Sequence, residues 1–475
     1  MLNPQADLYD LVVLGGGPAG IIGAATAAML GRRVALVDSQ AYLGGAGANT
    51  GTVPSKTLRE TALALSGWRS RNLYGVDLSL RREATVADFL RHERNVKAGL
   101  NVMLKQRLEA SQAKIYQGTA CFADAHTVQV RRNSAEDDIH LRAEYVLIAT
   151  GSAPVRPAMF SFGRDRIYDS DTVLNLDRLP ATLAVVGAGV IGSEYASTFA
   201  ALGTEVHVVA GHHVLLPFLD AEMSQALAAA MARNGIRFHW DERVESCVNG
   251  EPEKISLMLT SGERLAVDAV LVTAGRKSNV DGLGLSAANI ATSERGLIPV
   301  NEHFQTEAAH IYAAGDVIGF PALASTSMQQ ARLAMRHAFG QKVPSNAFRI
   351  LPAGIYTIPE VGTVGETEKS LRNKGIEYVV GRGPYQATAR GRIIGDTDGF
   401  LKLLFDRRDL RLLGVHAIGE QATELVHIGM MAMLSSSSAT VFDEACFNLP
   451  TLGELYKLAY LDAVSRMSNG RSLFD

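Results

Sequence analysis

The sequence predicts an α/β protein in which two βαβ repeats share one design and a separate α+β region follows at the C-terminal end. Two glycine-rich turns, each set between a short apolar run and a helical segment, recur in matched register along the chain. From residue 352 to about residue 450, alternating strands mix with helices and no such turn is found. The chain has 475 residues, of which 47% are hydrophobic and 20% charged, so it can bury several cores and is not a disordered chain.

The first βαβ repeat begins with the apolar run at residues 11–14. Three glycines follow in a GxGxxG frame, and a helical segment leads to a second apolar run, residues 34–37, which Asp38 closes. In such a frame the first glycine permits a tight turn, the second lets a pyrophosphate approach the backbone, and the third lets helix and strand pack closely. The helix N-terminus then favours the bound phosphate. This pattern predicts a dinucleotide-binding repeat.

The second repeat has the same order of parts. Residues 183–186 form its apolar run, a second GxGxxG frame follows, and Ala210 closes the returning strand at the position that Asp38 has in the first repeat. One such frame is a weak signal, but two copies with the same strands and helix are a strong one. The residues expected at the phosphates are Gly15, Gly17, Pro18, Ala19 and Gly20 in the first repeat and Gly187, Gly189, Val190, Ile191 and Gly192 in the second.

Three further apolar runs each end in a glycine turn of the kind that approaches a ligand closely. The runs and their turns are residues 145–150 with Thr150 and Gly151, residues 269–274 with Gly275 and Arg276, and residues 311–314 with Gly315 and Asp316. A carboxylate at the end of a strand, as at Asp316, suits a ligand that carries hydroxyl groups.

Composition and charge exclude several classes of protein. Forty-six Lys and Arg residues against 49 Asp and Glu leave a formal charge of -3, so the chain has no excess of basic residues to bind nucleic acid. Three scattered cysteines, Cys121, Cys247 and Cys446, argue against a disulfide framework and for a reducing compartment. No apolar run reaches the roughly 18 residues of a membrane span, and no basic stretch precedes an apolar run at the N-terminus. We therefore expect a cytoplasmic protein with no membrane span, no nucleic-acid partner and no metal site.

With both repeats in view, the sequence resembles the FAD-dependent pyridine nucleotide-disulfide oxidoreductases over nearly its whole length. The motifs that carry the resemblance are residues 15–20, the segment 44–56 that ends Pro54-Ser55-Lys56, residues 149–152, the second glycine frame with Glu194, Gly275-Arg276 and Gly315-Asp316. Within that family, residues 166–171, 315–319 and 354–360 look most like the soluble pyridine nucleotide transhydrogenases.

The resemblance implies two Rossmann-like dinucleotide-binding domains and a dimerisation domain. FAD would lie in a discontinuous domain formed by residues 1–153 and 276–345, and NAD(P) in an inserted domain of residues 154–275. Residues 346–475 would form an α+β domain at a homodimer interface.

The resemblance also implies roles for single residues at the cofactors. Asp38 would bind the adenosine ribose of FAD, and Asp316 would bind its ribityl chain. The other residues that it places at the cofactors are Ser39, Gly44, Gly45, Gly47, Thr52, Lys56, Thr150, Gly151, Gly315, Glu194, Ala210, His212, Gly275 and Arg276.

Two departures from the family pattern remove its thiol chemistry. Disulfide reductases carry a cysteine pair at the positions of Gly47 and Thr52, and thiol–disulfide exchange requires a thiolate. They also carry an acid–base histidine where this chain has Leu449, a side chain with no titratable proton. The dithiol half-reaction is therefore lost and the flavin half-reaction kept. Glu454, which follows in that motif, is then either part of the site or a helix-surface residue.

A third departure concerns the nicotinamide dinucleotide. Ala210 replaces the acidic residue that would bind a ribose 2′-OH and repel a 2′-phosphate. His212 and His213 follow, and a histidine there could bond or attract that phosphate, or both could be ordinary exposed loop residues. We expect both NAD(H) and NADP(H) to be accepted.

The groups left to support chemistry are Lys56 and Glu194. In related proteins the matching lysine and glutamate pair beside the flavin N5, where positive charge favours an electron-rich reduced ring. For Lys56 the alternative is a surface lysine at the end of a helix.

Three functions fit this sequence. The first is ping-pong hydride transfer from NADPH through the flavin to NAD+, with no protein nucleophile. The second has the same first half-reaction but reduces a quinone or another soluble acceptor. The third is a flavoprotein kept for binding or redox sensing, against which the two complete glycine frames argue.

Overall fold

A computed structural model of the protein describes residues 7–67, 86–132, 138–163, 166–249, 254–343, 348 and 350–474. The expected domain boundary between residues 345 and 346 lies outside the described residues.

The strands are β1 (Asp7–Leu14), β2 (Val34–Asp38), β3 (Lys114–Gln117), β4 (Thr119–Asp124), β5 (Thr127–Arg131), β6 (Ile139–Ile148), β7 (Ser152–Pro154), β8 (Ile167–Tyr168), β9 (Thr182–Val186), β10 (Glu205–Ala210), β11 (Arg237–Trp240), β12 (Val244–Asn249), β13 (Ile255–Leu259), β14 (Arg264–Val267), β15 (Ala269–Val272), β16 (Arg276–Ser278), β17 (Ile311–Ala313), β18 (Ala353–Ile355), β19 (Val361–Gly365), β20 (Tyr378–Pro384), β21 (Phe400–Asp406) and β22 (Leu412–Ile418).

The α-helices are α1 (Pro18–Met29), α2 (Gly45–Asn49), α3 (Thr52–Leu65), α4 (Val86–Ala110), α5 (Val190–Ala201), α6 (Ala221–Arg233), α7 (Ala324–Ala338), α8 (Glu368–Asn373), α9 (Ala389–Ile394), α10 (Ala422–Leu434), α11 (Val441–Glu444) and α12 (Leu455–Asn469).

The chain divides into two compact units. Unit 1 consists of Met1–Thr57, Arg91–Val155 and Gly275–Phe348, and unit 2 consists of Leu58–Leu90, Arg156–Ala274 and Arg349–Asp475. The first βαβ repeat lies in unit 1, and the second lies in unit 2 together with the C-terminal region.

Unit 1 is built on a seven-stranded sheet in the order β3-β2-β1-β6-β5-β4, with β17 also paired to β6. Five of its strands run parallel to their neighbours: β1, β2, β3, β6 and β17. Strand β5 is antiparallel to both β6 and β4. Separate apolar cores cover the sheet, one of which includes α1 and α7. Strands buried on both faces read as continuous apolar runs, which is why residues 11–14 show no alternation.

Unit 2 contains a parallel sheet in the order β11-β10-β9-β15-β8, a three-stranded antiparallel sheet β12-β13-β14, and an antiparallel sheet in the order β18-β19-β22-β21-β20. Helix α5 packs on β10 of the parallel sheet, and α10 and α12 pack on the C-terminal sheet. The predicted fold class, with two nucleotide-binding sheets and a C-terminal α+β region, is confirmed.

A buried cluster of charges joins helix α6 to the C-terminal sheet of unit 2. The Lys402 ammonium has no exposed surface and lies 2.7 Å from Asp220 Oδ1 and 2.8 Å from Glu222 Oε2, and it also bonds Glu368. Three carboxylates this close could hold a metal ion, but the ammonium already supplies the positive charge. The cluster therefore fits a structural role.

Candidate functional site

The first glycine loop, residues 15–20, joins β1 to α1 with a backbone that only glycine permits at two places. Gly15 has φ +104°, and a Cβ there would lie 2.4 Å from the carbonyl oxygen of Ala149. A Cβ on Gly20 would lie 1.8 Å from the carbonyl oxygen of Gly15. The helix can therefore begin directly behind the turn, with Pro18 at its first position, where proline is favoured.

The same loop leaves room for an anion at the helix N-terminus. Gly17 caps α1, and no side chain caps the first N–H groups of the helix. A Cβ on Gly17 would contact only Gly45, at 3.9 Å. Uncapped N–H groups beside open space suit a phosphate, so the loop fits the pyrophosphate of a dinucleotide.

Asp38 ends β2 beside this loop, and its carboxylate is held by two backbone groups. The N–H of Gly16 donates to Oδ2 at 2.5 Å, and the N–H of Gln40 donates to Oδ1 at 2.7 Å. Burial raises the pKa of Asp38, while the two N–H donors act in the opposite direction. Each carboxylate oxygen can accept a further bond, as the ribose contact requires. Ser39 follows and is exposed.

The segment that replaces the cysteine pair packs against the first glycine loop. The N–H of Gly44 donates to the carbonyl of Gly16 at 2.7 Å. A Cβ on Gly47, which lies in α2, would be only 2.7 Å from Cγ of Pro18. Any larger residue at this cysteine position would therefore require the segment or Pro18 to shift. Thr52, the second cysteine position, begins α3 and is exposed.

Asp316 lies in a polar group that links two turns of unit 1. Its Oδ2 accepts a hydrogen bond from Ser152 Oγ at 2.6 Å, and the Arg276 guanidinium donates to Ser152 Oγ at 2.8 Å and to the Ser152 carbonyl at 2.7 Å. Arg276 Nε is 3.9 Å from the same Asp316 oxygen. Arg276 thus belongs with the Asp316 turn, although it follows a strand of the second repeat in the sequence.

Two side chains of this region were missed as site residues. Ser152 orients Asp316, and Gln330 Oε1 accepts the N–H of Gly315 at 2.8 Å. The glycine turn at Gly151 could have pointed to Ser152, which directly follows it. Gln330 lies inside α7, where no sequence motif marks it. Thr150 closes the turn by donating to the carbonyl of Asn279 at 2.8 Å.

The second glycine loop, residues 187–192, repeats the geometry of the first in unit 2. Gly187 has φ +112°, and a Cβ there would lie 2.6 Å from the carbonyl oxygen of Thr273. A Cβ on Gly192 would lie 2.0 Å from the carbonyl oxygen of Gly187. Gly189 caps α5, is exposed and has no atom within 4 Å of its Cβ direction. Val190 and Ile191 form the first turn of the helix.

The strand end that follows this loop carries no carboxylate. Ala210 is buried at the end of β10, and the three residues after it, Gly211, His212 and His213, are exposed. His213 Nδ1 lies 3.7 Å from Asp241 Oδ1. No side chain of β10 itself therefore repels a 2′-phosphate at this strand end, and the carboxylate of the adjacent Glu242 accepts hydrogen bonds from Thr260 and Ser261.

Lys56 and Glu194 differ in burial and lie in different units. Lys56 is half-buried on α3 in unit 1, and its ammonium donates to Ser55 Oγ at 3.3 Å. Glu194 is buried on α5 in unit 2, and its Oε1 accepts the backbone N–H of Tyr356 at 2.9 Å. The pairing of Lys56 with Glu194 stays a prediction.

The sequence left two readings of Glu454, one as part of the site near Leu449 and one as a helix-surface residue. Leu449 is exposed, but Glu454 Oε2 is buried and has no hydrogen-bond partner among the described residues. Glu454 is therefore not a simple helix-surface residue.

Family models match most of the chain. Residues 9–338 match the model described as pyridine nucleotide-disulphide oxidoreductase, and residues 351–460 match the dimerisation domain of the same family. Among the described helices, none has the length and apolarity that crossing a membrane requires.

Curated relatives match the chain from end to end. A soluble pyridine nucleotide transhydrogenase of Mycobacterium bovis is 43% identical over 460 residues, which cover 97% of this chain and 98% of the relative. One from Marinobacter nauticus is 39% identical over 466 residues, with 97% and 99% covered.

Solved structures have the same fold. LpdA from Mycobacterium tuberculosis superposes with a TM-score of 0.89 at 26% identity, covering 96% of this chain and 99% of that one. The HOCl-induced flavoprotein disulfide reductase RclA from Escherichia coli gives a TM-score of 0.86 at 27% identity, covering 95% and 99%.

Proposed function

The chain belongs to the pyridine nucleotide-disulphide oxidoreductase family, and from this we propose that it is a soluble transhydrogenase that moves a hydride between NADPH and NAD+ without a redox disulfide. FAD is the cofactor of this fold, and nicotinamide dinucleotides are its substrates. The matched dimerisation domain indicates a homodimer.

The observation that carries the proposal is a pair of complete dinucleotide loops in a chain that has no thiol relay. Gly47 and Thr52 stand at the cysteine positions of the reductases, and the three cysteines of the chain form no disulfide with one another. The electron acceptor must therefore be one that needs no thiol. NAD+ meets this requirement, because it can bind at the second glycine loop after NADP+ has left.

The residues of unit 1 fit FAD. Open space at Gly17 and the uncapped start of α1 suit its pyrophosphate, and the Asp38 carboxylate suits a ribose. Asp316 uses only Oδ2 to accept from Ser152, so Oδ1 can accept a hydroxyl of the ribityl chain. When bound, FAD supplies a ring that accepts a hydride from one nicotinamide and returns it to another.

The chain's own residues bind and orient the reactants. The open backbone at Gly189 and the start of α5 would hold the pyrophosphate of the nicotinamide dinucleotide. Lys56 would place a positive charge near the reduced cofactor, with Glu194 as its partner. Glu194 also fixes the backbone of Tyr356 through its hydrogen bond. Placement of this kind is the main contribution a protein makes to hydride transfer.

Two finer statements belong to the same proposal. The FAD domain would be formed by residues 1–153 and 276–345, the NAD(P) domain by residues 154–275, and the dimerisation domain by residues 346–475. The cytoplasm is the proposed compartment, because three cysteines that form no disulfide and relatives described as soluble favour a reducing one.

Anaerobic spectroscopy of the FAD-loaded protein tests the function. NADPH is added and the yellow flavin absorbance followed, and then a thio-analogue of NAD+ is added, whose reduction has its own absorbance. We expect rapid bleaching followed by reoxidation of the flavin that matches reduction of the analogue. As a control, Gly189→Val should retain FAD but not bleach, because the side chain would fill the open space of the second loop.

Two outcomes would contradict the proposal. Bleaching that persists with the analogue and reverses on adding a quinone would identify a quinone reductase. Absence of bleaching in a protein that retains FAD would indicate a flavoprotein without this activity.

A further inference from the structure

A basic side chain that the sequence motifs do not include lies beside the end of β10. Arg243 follows β11, the neighbour of β10 in the parallel sheet, after a turn at Asp241. Carboxyl ends of parallel strands meet at the ligand-binding edge of a sheet. Arg243 thus lies at the edge where the adenosine end of a dinucleotide on the second glycine loop is expected.

The backbone of Arg243 is fixed on both sides by one residue. Its N–H donates to Thr260 Oγ1 at 3.2 Å, and its carbonyl accepts the N–H of Thr260 at 3.0 Å. The side chain is exposed and, within the described part of the chain, its guanidinium forms no ion pair or hydrogen bond. An anchored backbone with an unpaired guanidinium is arranged to receive an anion.

The side chain of Arg243 lies over the chain that leaves β10. Its Nε is 3.7 Å from the point where a Cβ on Gly211 would be. Gly211 comes directly after Ala210, the position at which an acidic side chain would bind a ribose 2′-OH. The guanidinium is therefore next to the place that a 2′-phosphate would occupy.

The acidic neighbours of Arg243 are directed to other groups. Glu242 Oε2 accepts hydrogen bonds from Thr260 Oγ1 at 2.6 Å and from the N–H of Ser261 at 3.0 Å. Asp241 faces His213, at 3.7 Å. Neither carboxylate forms an ion pair with Arg243 among the described contacts.

We propose that Arg243 binds the 2′-phosphate of NADP(H) and is the main determinant of NADP(H) affinity in the second βαβ repeat, an assignment that rests on the proposed function. Arginine is always charged, and its planar fork matches phosphate oxygens. His212 and His213 offer single ring nitrogens in place of a fork of N–H donors. Because Arg243 comes from the turn after the neighbouring strand β11, it recognises the phosphate without a charged residue at the end of β10.

Two probes that differ only in the phosphate test the assignment. Binding of 2′,5′-ADP and of 5′-AMP to the FAD-loaded protein is measured by calorimetry. We expect Arg243→Ala to weaken 2′,5′-ADP binding about ten- to hundredfold, since hydrogen bonds to charged groups are of that strength. Binding of 5′-AMP should change by no more than about twofold. Arg243→Lys should recover part of the loss because it keeps the charge but not the fork.

Arg237→Ala is the matched control. Arg237 lies at the start of β11, the strand that leads to Arg243, is exposed, and pairs with Glu205 at 2.7 Å. Its loss should leave the affinity for both probes unchanged. Equal weakening of both probes in Arg243→Ala, or no weakening of 2′,5′-ADP, would overturn the assignment.

The binding test is independent of hydride transfer, because neither probe carries a nicotinamide. If the wild-type protein fails the thio-analogue assay, and Arg243→Ala selectively weakens binding of 2′,5′-ADP, the proposed function is wrong and the phosphate site is supported. If wild type transfers hydride and Arg243→Ala binds both probes normally, the phosphate site falls and the function stands.

Discussion

The two glycine loops have nearly the same backbone and different surroundings. Gly15 and Gly187 have φ of +104° and +112°, and Gly20 and Gly192 each approach a carbonyl so closely that no Cβ could fit. The first loop, however, accepts a hydrogen bond from the segment at Gly44, and its cap Gly17 is half-buried, whereas the cap of the second loop, Gly189, is exposed. A partly enclosed loop suits a cofactor that stays bound, and an exposed loop suits substrates that exchange.

The strand ends differ as well. Asp38 places a fixed carboxylate beside the first loop, while Ala210 leaves the second without charge and Arg243 lies nearby. The shared backbone thus selects a pyrophosphate, and the side chains at the strand ends select the dinucleotide.

The largest effect should follow from Gly192→Ala. The added Cβ would lie 2.0 Å from the carbonyl oxygen of Gly187, so the second loop must shift while the first does not. We expect bleaching by NADPH to slow about a hundredfold or more, since a displacement near 1 Å has costs of that order, with flavin content unchanged. Gly99→Ala, inside α4 with no atom near its Cβ, is the control. Loss of flavin in Gly192→Ala would show that the two loops are not independent.

Asp38→Ala should act on the other loop. It removes the acceptor of two backbone N–H groups and the proposed ribose contact, so the dissociation constant of FAD should rise about ten- to hundredfold. Equilibrium dialysis with flavin fluorescence measures this dissociation constant, and Asp38→Asn should weaken FAD binding less than Asp38→Ala does. A variant that keeps FAD but loses NADPH would contradict the assignment of the first loop to FAD.

Ala210→Asp would make the second strand end resemble the first. The new carboxylate should repel a 2′-phosphate and weaken NADP+ relative to NAD+ about tenfold, a loss of about 1.4 kcal/mol. Competition of the two dinucleotides for the protein measures the ratio, and Ala210→Asn separates charge from size. An unchanged ratio would mean that this strand end does not reach the ribose.

The smallest effect concerns the scaffold of unit 2. His416 is fully buried between Thr363 Oγ1 and the carbonyl of Glu366, and burial lowers its pKa below the usual 6.5. The unfolded chain then binds the proton more readily, so the stability that the neutral ring contributes is present above about pH 6.5 and is lost as the pH falls towards the lowered pKa. We expect the melting temperature to fall by a few degrees between pH 7 and 5.5, and His416→Gln to flatten that slope. Equal slopes in both proteins would assign the effect to other groups.

Much of the candidate site could be predicted because its signals are local. Gly15 and Gly187 need a positive φ within a few residues of a strand end, and that requirement is visible in any single chain. The replacement of cysteine at Gly47 and of histidine at Leu449 is equally local. The outcome for Glu454 shows the limit, since its buried oxygen depends on neighbours that the motif does not contain.

The sequence by itself determined the two dinucleotide loops, the family and the loss of thiol chemistry, because each rests on residue types at short spacing. Only the tertiary structure decided which distant side chains complete the site: Ser152 beside Asp316, the backbone of Tyr356 on Glu194, and Arg243 beside Gly211. The physical reason is that such contacts depend on strand order and on the turns between strands. Residues far apart in the chain meet only after the sheets have formed.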